Sequence, residues 1–177
     1  MLNSENAAPS LRLRPAVAED EPFLRALYAT TREQELALVP WPDEIKAAFC
    51  DSQFTAQDTH YKKFFPQSRY LVVEIDAEPV GRLYVDHSCE EVSVIDIALL
   101  PARRNTGLGT RLMRDVMAEA QASGKNVTLY VDKVSPALRL YERLGYQVVE
   151  DKGLDYFMRW TPAVAAASVP SPAPTAA

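Results

Sequence analysis

The chain has 177 residues, of which 47% are hydrophobic and 24% are charged, and this composition is typical of a globular protein. The length favours a single domain that buries its own core without disulfide bonds or metal ions to stabilise it. The formal net charge of −5, without a long basic run, argues against a general nucleic-acid binder and fits a cationic partner slightly better than an anionic one.

The two cysteines and the N-terminal residues bear on the compartment. Cys50 and Cys89 lie far apart, and the segment from Met1 to Ser10 lacks the charged-then-apolar layout of a secretory signal. Both cysteines are therefore expected as free thiols rather than as a disulfide. No apolar run approaches the roughly 20 residues of a membrane span. We expect a soluble, cytoplasmic protein with no membrane partner.

The first half of the chain predicts a strand, two helices and a β-hairpin. Alternation, proline and acidic residues at helix starts, and β-rich runs around a turn carry this prediction. The elements are a strand at 11–14, a helix starting at Glu19–Pro22, a helix capped by Asp43 and running to about Phe64, and strands at 68–75 and 80–86 around a turn at Asp76–Pro79.

The second half predicts alternating strands and helices. Its first strand is apolar on both faces apart from Ser93 and Asp96, which favours a position inside the sheet. The elements are strands at 92–99, 127–131, 146–149 and 154–160, a helix from Leu108 to Ser123-Gly124, and a helix capped by Ser135 and closed by Gly145. The whole order predicts a mixed α/β domain with helices on both faces of one sheet.

The composition divides the chain into three parts. Residues 161–177 carry almost nothing but Pro, Ala, Ser, Thr and Val, without charge or periodicity, and are expected to form a disordered tail. Residues 1–10 are expected to be a flexible N terminus. The domain is therefore expected to span residues 11–160.

The most informative segment is the glycine loop, Leu100-Pro101-Ala102-Arg103-Arg104-Asn105-Thr106-Gly107-Leu108-Gly109-Thr110. It connects a predicted strand to a predicted helix, whose first amides have no intrahelical acceptor and favour an anion. A Walker loop does not fit, and Leu112 stands where a dinucleotide fingerprint needs its third glycine. The bland alternative is a surface turn whose glycines only permit tight packing.

A second block follows in register: Ser135-Pro136-Ala137, Tyr141, and Gly145-Tyr146. With Arg104-x-x-Gly107-x-Gly109 before it, the chain resembles the Gcn5-related N-acetyltransferase (GNAT) family over roughly residues 11–160. The resemblance implies a mixed, mostly antiparallel sheet of six to seven strands with helices on both faces. It also implies an enzyme that moves an acetyl group from acetyl-CoA directly to a primary amine, with no metal.

The resemblance assigns the acetyl-CoA site residue by residue. The pyrophosphate would bind main-chain amides of the glycine loop, so that backbone shape matters more than the Arg104 guanidinium. Asn105 stands where many relatives have glycine, and Asn tolerates the left-handed conformation that this position requires. The residues carried over are Arg104, Asn105, Thr106, Gly107, Leu108, Gly109 and Thr110, the strand end Ile97, Ala98 and Leu99 for the pantetheine arm, and Ser135, where relatives often have Asn.

Two residues are candidates for the chemistry. Tyr141 falls where the family commonly has a tyrosine that protonates the leaving thiolate; the alternative is a core aromatic. Asp96 is a lone acid on an apolar strand and is a candidate base, or an orienting group for the amine. The alternative for Asp96 is a hydrogen-bonded acid or a partner of an arginine. Ser93 occupies the usual glutamate position of histone-modifying relatives, so that base is not carried over.

The acceptor site of the family is formed largely by the first two helices. Here a pocket lining and a solvated helix face remain open for the same residues: Arg32, Trp41, Gln53, Gln57, His60 and Tyr61. Four further polar residues near the hairpin end are weaker candidates for the base, each also explained as a turn residue: Asp86, His87, Glu90 and Glu91.

Rival functions remain. A CoA-binding sensor or interaction module without turnover would keep the same loop, and a larger acyl group would keep the same chemistry. The acceptor is open between a small-molecule amine and a protein or peptide amine, and the oligomeric state is open between a monomer and a homodimer.

Overall fold

The computed structural model describes residues 10–88 and 90–163. Most of the expected flexible N terminus, most of the expected tail, and Cys89 therefore lie outside the described residues. The strands are β1 (Leu11–Pro15), β2 (Arg69–Ile75), β3 (Glu78–Asp86), β4 (Val92–Leu99), β5 (Val127–Asp132), β6 (Gln147–Asp151) and β7 (Asp155–Trp160). The helices are α1 (Glu21–Leu36), α2 (Asp43–Phe64), α3 (Leu108–Ala122) and α4 (Leu138–Arg143).

The seven strands form one sheet in the order β1-β2-β3-β4-β5-β7-β6. All neighbours are antiparallel except β4 and β5, which are parallel. The predicted order of elements and the mixed, mostly antiparallel sheet are confirmed. Among the helices of the described ranges, none is both long and apolar enough to cross a membrane.

Alternation along β3 separates the two helical layers. Leu83 and Val85 point into a core that also holds Leu112 and Met113 of α3. Arg82, on the opposite face of β3, lies over the ring of Tyr28 from α1. A second apolar cluster joins α1 and α2, and its buried members are Leu24, Tyr28, Leu36, Cys50 and Phe54. The sheet is thus covered on both faces, as predicted.

Three local expectations need correction. Asp43 is the first residue of α2 and the cap position is held by Pro42. Ser135 does not cap α4, because its carbonyl accepts from the amide of Leu138 over 3.1 Å and closes a separate turn before the helix. The hairpin turn has only two residues outside the strands, Asp76 and Ala77, both in the left-handed region.

Strands β4 and β5 pair over a short distance only. Their register covers Val92–Val127, Ser93–Thr128 and Val94–Leu129, and then ends. On its other side β4 has a bulge, since Tyr84 pairs with Asp96 while Val85 pairs with Val94. The bulge leaves Ile95 as the extra residue and increases the local twist. From Asp96 onward β4 therefore parts from β5, and a gap opens within the sheet.

Candidate functional site

The glycine loop adopts the backbone shape of an anion-binding turn. Asn105 and Gly107 have φ angles of 59° and 87°, both in the left-handed region. The expectation that Asn105 preserves this conformation is confirmed. Gly107 is the N-cap residue of α3 and provides no side-chain hydrogen bond to the helix start. The first amides of α3, from Leu108 to Thr110, are therefore directed at the loop, where the helix dipole favours negative charge.

The two glycines of the loop differ in what they require. An added Cβ at Gly107 would meet no heavy atom within 4 Å, so the positive φ is what a larger residue would strain. An added Cβ at Gly109 would lie 3.6 Å from Leu140 and 3.9 Å from Leu99, which is ordinary contact. Protein packing thus does not demand a glycine at either position, and the loop's shape depends on Gly107.

The Arg104 side chain forms hydrogen bonds with other residues of the protein. Its Nε donates to the carbonyl of Leu99 over 2.9 Å, and its Nη2 donates to the hydroxyl of Thr30 over 2.8 Å. These bonds fasten the loop to the end of β4 and to α1. The exposed arginines of the same loop and of the first turn of α3 are Arg103 and Arg111.

The gap between β4 and β5 continues into a cavity of about 340 Å³, here called the central cavity. Residues 94–98 of β4 and 129–132 of β5 line two of its sides, and Ser135 and Tyr141 line a third. Ile97 and Ala98 are part of the lining, whereas Leu99 is not; its carbonyl accepts from Nε of Arg104. Tyr28 and Thr31 of α1, Gln57 of α2 and Arg82 of β3 also belong to the lining.

Tyr141 and Asp96 both line the central cavity. Tyr141 is 5% exposed and packs edge-on against Tyr146, with 5.7 Å between ring centroids. Burial, and to a smaller extent the charge of Asp96, raises the pKa of Tyr141 to about 12. The hydroxyl therefore keeps its proton at neutral pH. Tyr141 is at once a core aromatic and a cavity residue, so the two interpretations of this position are compatible.

Asp96 is the centre of a buried polar network. Its Oδ2 accepts from Nη2 of Arg82 over 2.7 Å and from the hydroxyl of Tyr61 over 3.2 Å. The same Nη2 donates to Oε1 of Gln57 over 2.8 Å. The side chains of Arg82 and Asp96 are 3% and 12% exposed. The alternative that Asp96 pairs with an arginine is thus observed, and it coexists with a position beside the cavity.

The surroundings of this network shift the pKa values of its titratable groups. Burial alone would lower the pKa of Arg82, but the charge of Asp96 and neighbouring tyrosines raise it, so the guanidinium stays charged. Burial and the adjacent Asp96 raise the pKa of Tyr61. Burial raises the pKa of Tyr84, whose ring lies 5.2 Å from the Arg82 guanidinium, to about 12. The network therefore holds one positive and one negative charge.

The acceptor candidates separate into two groups. Gln57 belongs to the cavity lining, and Tyr61 joins it through Asp96. Gln53 and His60 are exposed, and neither lines the cavity. Arg32 pairs with Glu35, and Trp41 packs on Phe49 away from the network; Arg32, Trp41, Gln53 and His60 are not brought to the cavity.

The weaker base candidates lie at the other end of β4. Asp86 accepts from the amide of Ser88, and Glu91 pairs with Arg159 at 2.7 Å. His87 lies 2.6 Å from Arg69, and burial together with that charge lowers its pKa. Asp86, His87, Glu90 and Glu91 all lie outside the central cavity. Cys50 is a buried free thiol whose pKa is raised by burial, and it too lies outside.

Comparison with known proteins addresses the family. Residues 66–148 match the family model described as an acetyltransferase (GNAT) domain. This match runs from the residues before β2 into β6 and includes the glycine loop and Tyr141. Over these residues the chain is similar to GNAT acetyltransferases.

Solved structures with the same fold cover most of the chain. The PaiA N-acetyltransferase of Thermoplasma acidophilum, solved with coenzyme A, is 16% identical, with a TM-score of 0.67 over 86% of this chain and 99% of that one. An acetyltransferase of Thermus thermophilus is 19% identical, with a TM-score of 0.63 over 86% and 97%. A GNAT protein of Elizabethkingia anophelis with acetyl-CoA bound is 14% identical, with a TM-score of 0.55 over 85% and 97%.

Arg82 is a cavity residue that sequence reasoning missed. It lies in an apolar strand that was interpreted as one arm of a hairpin. Its signal is close to that of Asp96, a charge inside an apolar run, here between Val80 and Val85. Two such charges on consecutive strands predict a buried pair, because neither is stable alone.

Proposed function

We propose that this protein is an N-acetyltransferase that moves an acetyl group from acetyl-CoA directly to a primary amine. The observation that carries the proposal is that Tyr141 and Asp96 line one cavity beside the gap between β4 and β5. The end of β4 leads from this gap to the glycine loop, which presents uncapped helix amides.

The donor would bind through backbone groups. Amides at the start of α3 suit the diphosphate, and each charge-assisted bond contributes about 1.5–3 kcal/mol. Arg103 and Arg111 are the cations left to contact it, because Arg104 is committed to Leu99 and Thr30. The free edge of β4 at Ile97–Leu99 would pair with the pantetheine arm, and Ser135 borders the same channel. Relatives solved with coenzyme A and with acetyl-CoA support this assignment.

The reaction needs a nucleophile, an acid and charge stabilisation. The amine nitrogen attacks the thioester carbonyl carbon, the C–S bond breaks, and the sulfur leaves as a thiolate. Tyr141 donates its phenolic proton to that sulfur and is restored by the proton released from the amine. A main-chain amide of the Ile97–Leu99 segment stabilises the oxyanion. The products are an amide and free coenzyme A.

The amine must lose a proton before it attacks. An alkyl ammonium has a pKa of about 10.4 and an ordinary aspartate about 3.9, so a direct transfer between them in water would cost about 9 kcal/mol. Asp96 therefore acts first as the anion that orients the ammonium. Desolvation in the cavity lowers the pKa of the amine towards neutral and makes its proton available to Asp96 or to water.

A thiol-release assay with a panel of amines tests the proposal, with donor binding measured separately by calorimetry. We expect coenzyme A to be released only when a suitable amine is present. Binding of acetyl-CoA without release for any amine would favour the CoA-binding sensor or interaction module. Mass spectrometry of the copurified ligand decides between acetyl and a larger acyl group.

A further inference from the structure

The buried network fixes which atoms of Gln57 face the cavity. A guanidinium only donates hydrogen bonds, so Gln57 must present its amide oxygen to Nη2 of Arg82. The amide NH₂ group of Gln57 is therefore the part left over. Gln57 lines the cavity, and within residues 10–88 and 90–163 no hydrogen bond engages its Nε2. The cavity thus has an oriented donor group at this point.

Asp96 presents the complementary atom. Its Oδ2 is occupied by both Arg82 and Tyr61. Its Oδ1 accepts no hydrogen bond from the residues that the structure describes, so it is the acceptor of the pair. A ligand beside the network therefore meets one hydrogen-bond donor, from Gln57, and one acceptor, from Asp96. Both residues are held by the guanidinium of Arg82.

The charges of the buried network also indicate which kind of ligand fits beside it. Arg82 compensates Asp96, so the network as a whole is neutral: Asp96 can orient one ammonium, but the second positive charge of a diamine would find no compensating anion in the network. Arg82 is 2% exposed, and in the described part of the chain its Nε has no hydrogen-bond partner. A buried cation with an unused donor is stabilised by an anionic group nearby. The network therefore matches a ligand that has an ammonium and a carboxylate close together.

We infer that the acceptor is an amino acid with a free carboxylate beside its amine. This inference rests on the proposed function and names its substrate class. The ammonium lies against Oδ1 of Asp96, and the carboxylate lies against the Gln57 amide and the Arg82 guanidinium. Free amino acids are thereby favoured over polyamines, lysine side chains and protein N-termini, all of which lack the adjacent carboxylate.

Matched acceptors test the inference whichever side chain the protein prefers. Each of several amino acids is compared with its amide and with its decarboxylated amine, for example phenylalanine with phenylalaninamide and phenethylamine. We expect kcat/KM in the thiol-release assay to be at least about tenfold higher for the amino acid with the preferred side chain than for either analogue. The difference should appear mainly in the acceptor KM, and the donor KM should not change.

Gln57→Glu is the decisive variant. It keeps an oxygen for Arg82 but replaces the NH₂ donor with a second carboxylate oxygen, which repels the acceptor carboxylate. The preference for the amino acid over its amine should fall by about tenfold or reverse. Gln53→Glu makes the same charge change one helical turn earlier, at an exposed position outside the cavity, and should retain the wild-type preference.

The outcomes distinguish a failure of the acceptor inference from a failure of the N-acetyltransferase proposal. Release of thiol with amines or amides at rates equal to those with amino acids overturns the inference and leaves the N-acetyltransferase proposal intact. If no acceptor leads to thiol release, and calorimetry shows no binding of amino acids to the CoA-loaded protein, both the inference and the N-acetyltransferase proposal are overturned. An unchanged preference in Gln57→Glu also overturns the inference, because the donor would then have no role.

Discussion

The guanidinium of Arg104 donates to the hydroxyl of Thr30 over 2.8 Å, across 74 residues of chain. A second bond reaches the carbonyl of Leu99 at the end of β4. The residue that sequence comparison would first assign to phosphate binding is thus a brace between the glycine loop, the sheet and α1. The loop keeps its shape through this brace and through the left-handed residues beside it.

Gly107→Val should impair acyl-donor binding more than Arg104→Ala. Valine at a φ of 87° is strained because β-branched residues avoid the left-handed region, so the loop must change its shape. Loss of the Arg104 guanidinium removes a brace and leaves the α3 amides in place. We expect calorimetry to show no measurable binding for Gly107→Val and a loss of roughly tenfold or less for Arg104→Ala. Gly107→Asn should retain most of the affinity, and the reverse ranking would contradict this account.

Gly81→Ala should destabilise the protein. An added Cβ would lie 2.5 Å from the carbonyl oxygen of Ala98 and 2.6 Å from the Leu99 side chain, so β3 and β4 must separate at that point. Overpacking of this kind costs about 1–3 kcal/mol. Urea denaturation measures the loss. Gly109→Ala, where the nearest neighbour would be 3.6 Å away, is the stability control, and equal midpoints for the two variants would refute the clash.

Tyr141→Phe should lower kcat by roughly 100-fold, since a general acid contributes about 10²–10⁴-fold. Donor affinity should be retained, because the ring still fills its place in the core. With its pKa raised to about 12, the hydroxyl stays protonated through the working range, so no basic limb from this group is expected below about pH 11.

Tyr146→Phe is the matched control for that experiment. Tyr146 is an equally buried neighbour whose hydroxyl has no hydrogen-bond partner among the described residues, and it lies outside the cavity lining. Its kcat should stay near the wild-type value. Equal loss in both variants would assign the effect to packing rather than to proton donation.

Stability should fall as the pH rises above about 10. Burial raises the pKa of Tyr84 and Tyr141 to about 12, whereas an unfolded tyrosine titrates near 10. Between these values the unfolded chain releases protons that the folded chain retains, so the free energy of unfolding decreases with pH. The contribution is fully present below about pH 10. Urea midpoints at pH 8, 10 and 11 measure it.

The tyrosine origin of this slope has its own control. The double variant Tyr84→Phe/Tyr141→Phe should show a shallower decline than the wild type between pH 10 and 11. A decline of identical slope would assign the effect to other groups, and wild-type midpoints that do not change up to pH 11 would contradict the buried tyrosines altogether.

Asp96→Ala should be among the most destabilising single changes. It leaves the Arg82 charge buried without its partner, and breaking a buried pair in this way costs about 3–5 kcal/mol. Asp96→Asn keeps an oxygen for Arg82 and Tyr61 and should lose less. Glu150→Ala breaks the exposed pair with Lys152 and should change the free energy of unfolding very little. Similar losses for Asp96→Ala and Glu150→Ala would sink this view of the network.

The features that sequence predicts here are those encoded locally. Strand and helix order follows from periodicity and from the positions of proline and glycine, and the left-handed Asn105 follows from its place in the loop. The start of α4 was missed because Ser135 favours both a helix cap and a tight turn, and the hydrogen bond from Leu138 decides between them.

Long-range relationships escaped prediction for a different reason. The pairing of Arg82 with Asp96 depends on the register of β3 and β4, including a one-residue bulge that no local pattern marks. The direction of Arg104 depends on Thr30, which is distant in sequence. Of the six acceptor candidates, Gln57 and Tyr61 are distinguished by their hydrogen bonds to Arg82 and Asp96, which are distant in sequence.

The bulge at Ile95 also separates two sets of site residues along the chain. Gln57, Tyr61 and Arg82, which join Asp96 in the buried network, come before it in the chain; the glycine loop, Ser135 and Tyr141 come after it. Under the proposed function, substitutions upstream of β4 can change the preferred acceptor while the residues proposed to bind the donor stay the same. Acceptor selectivity can then evolve without loss of donor binding.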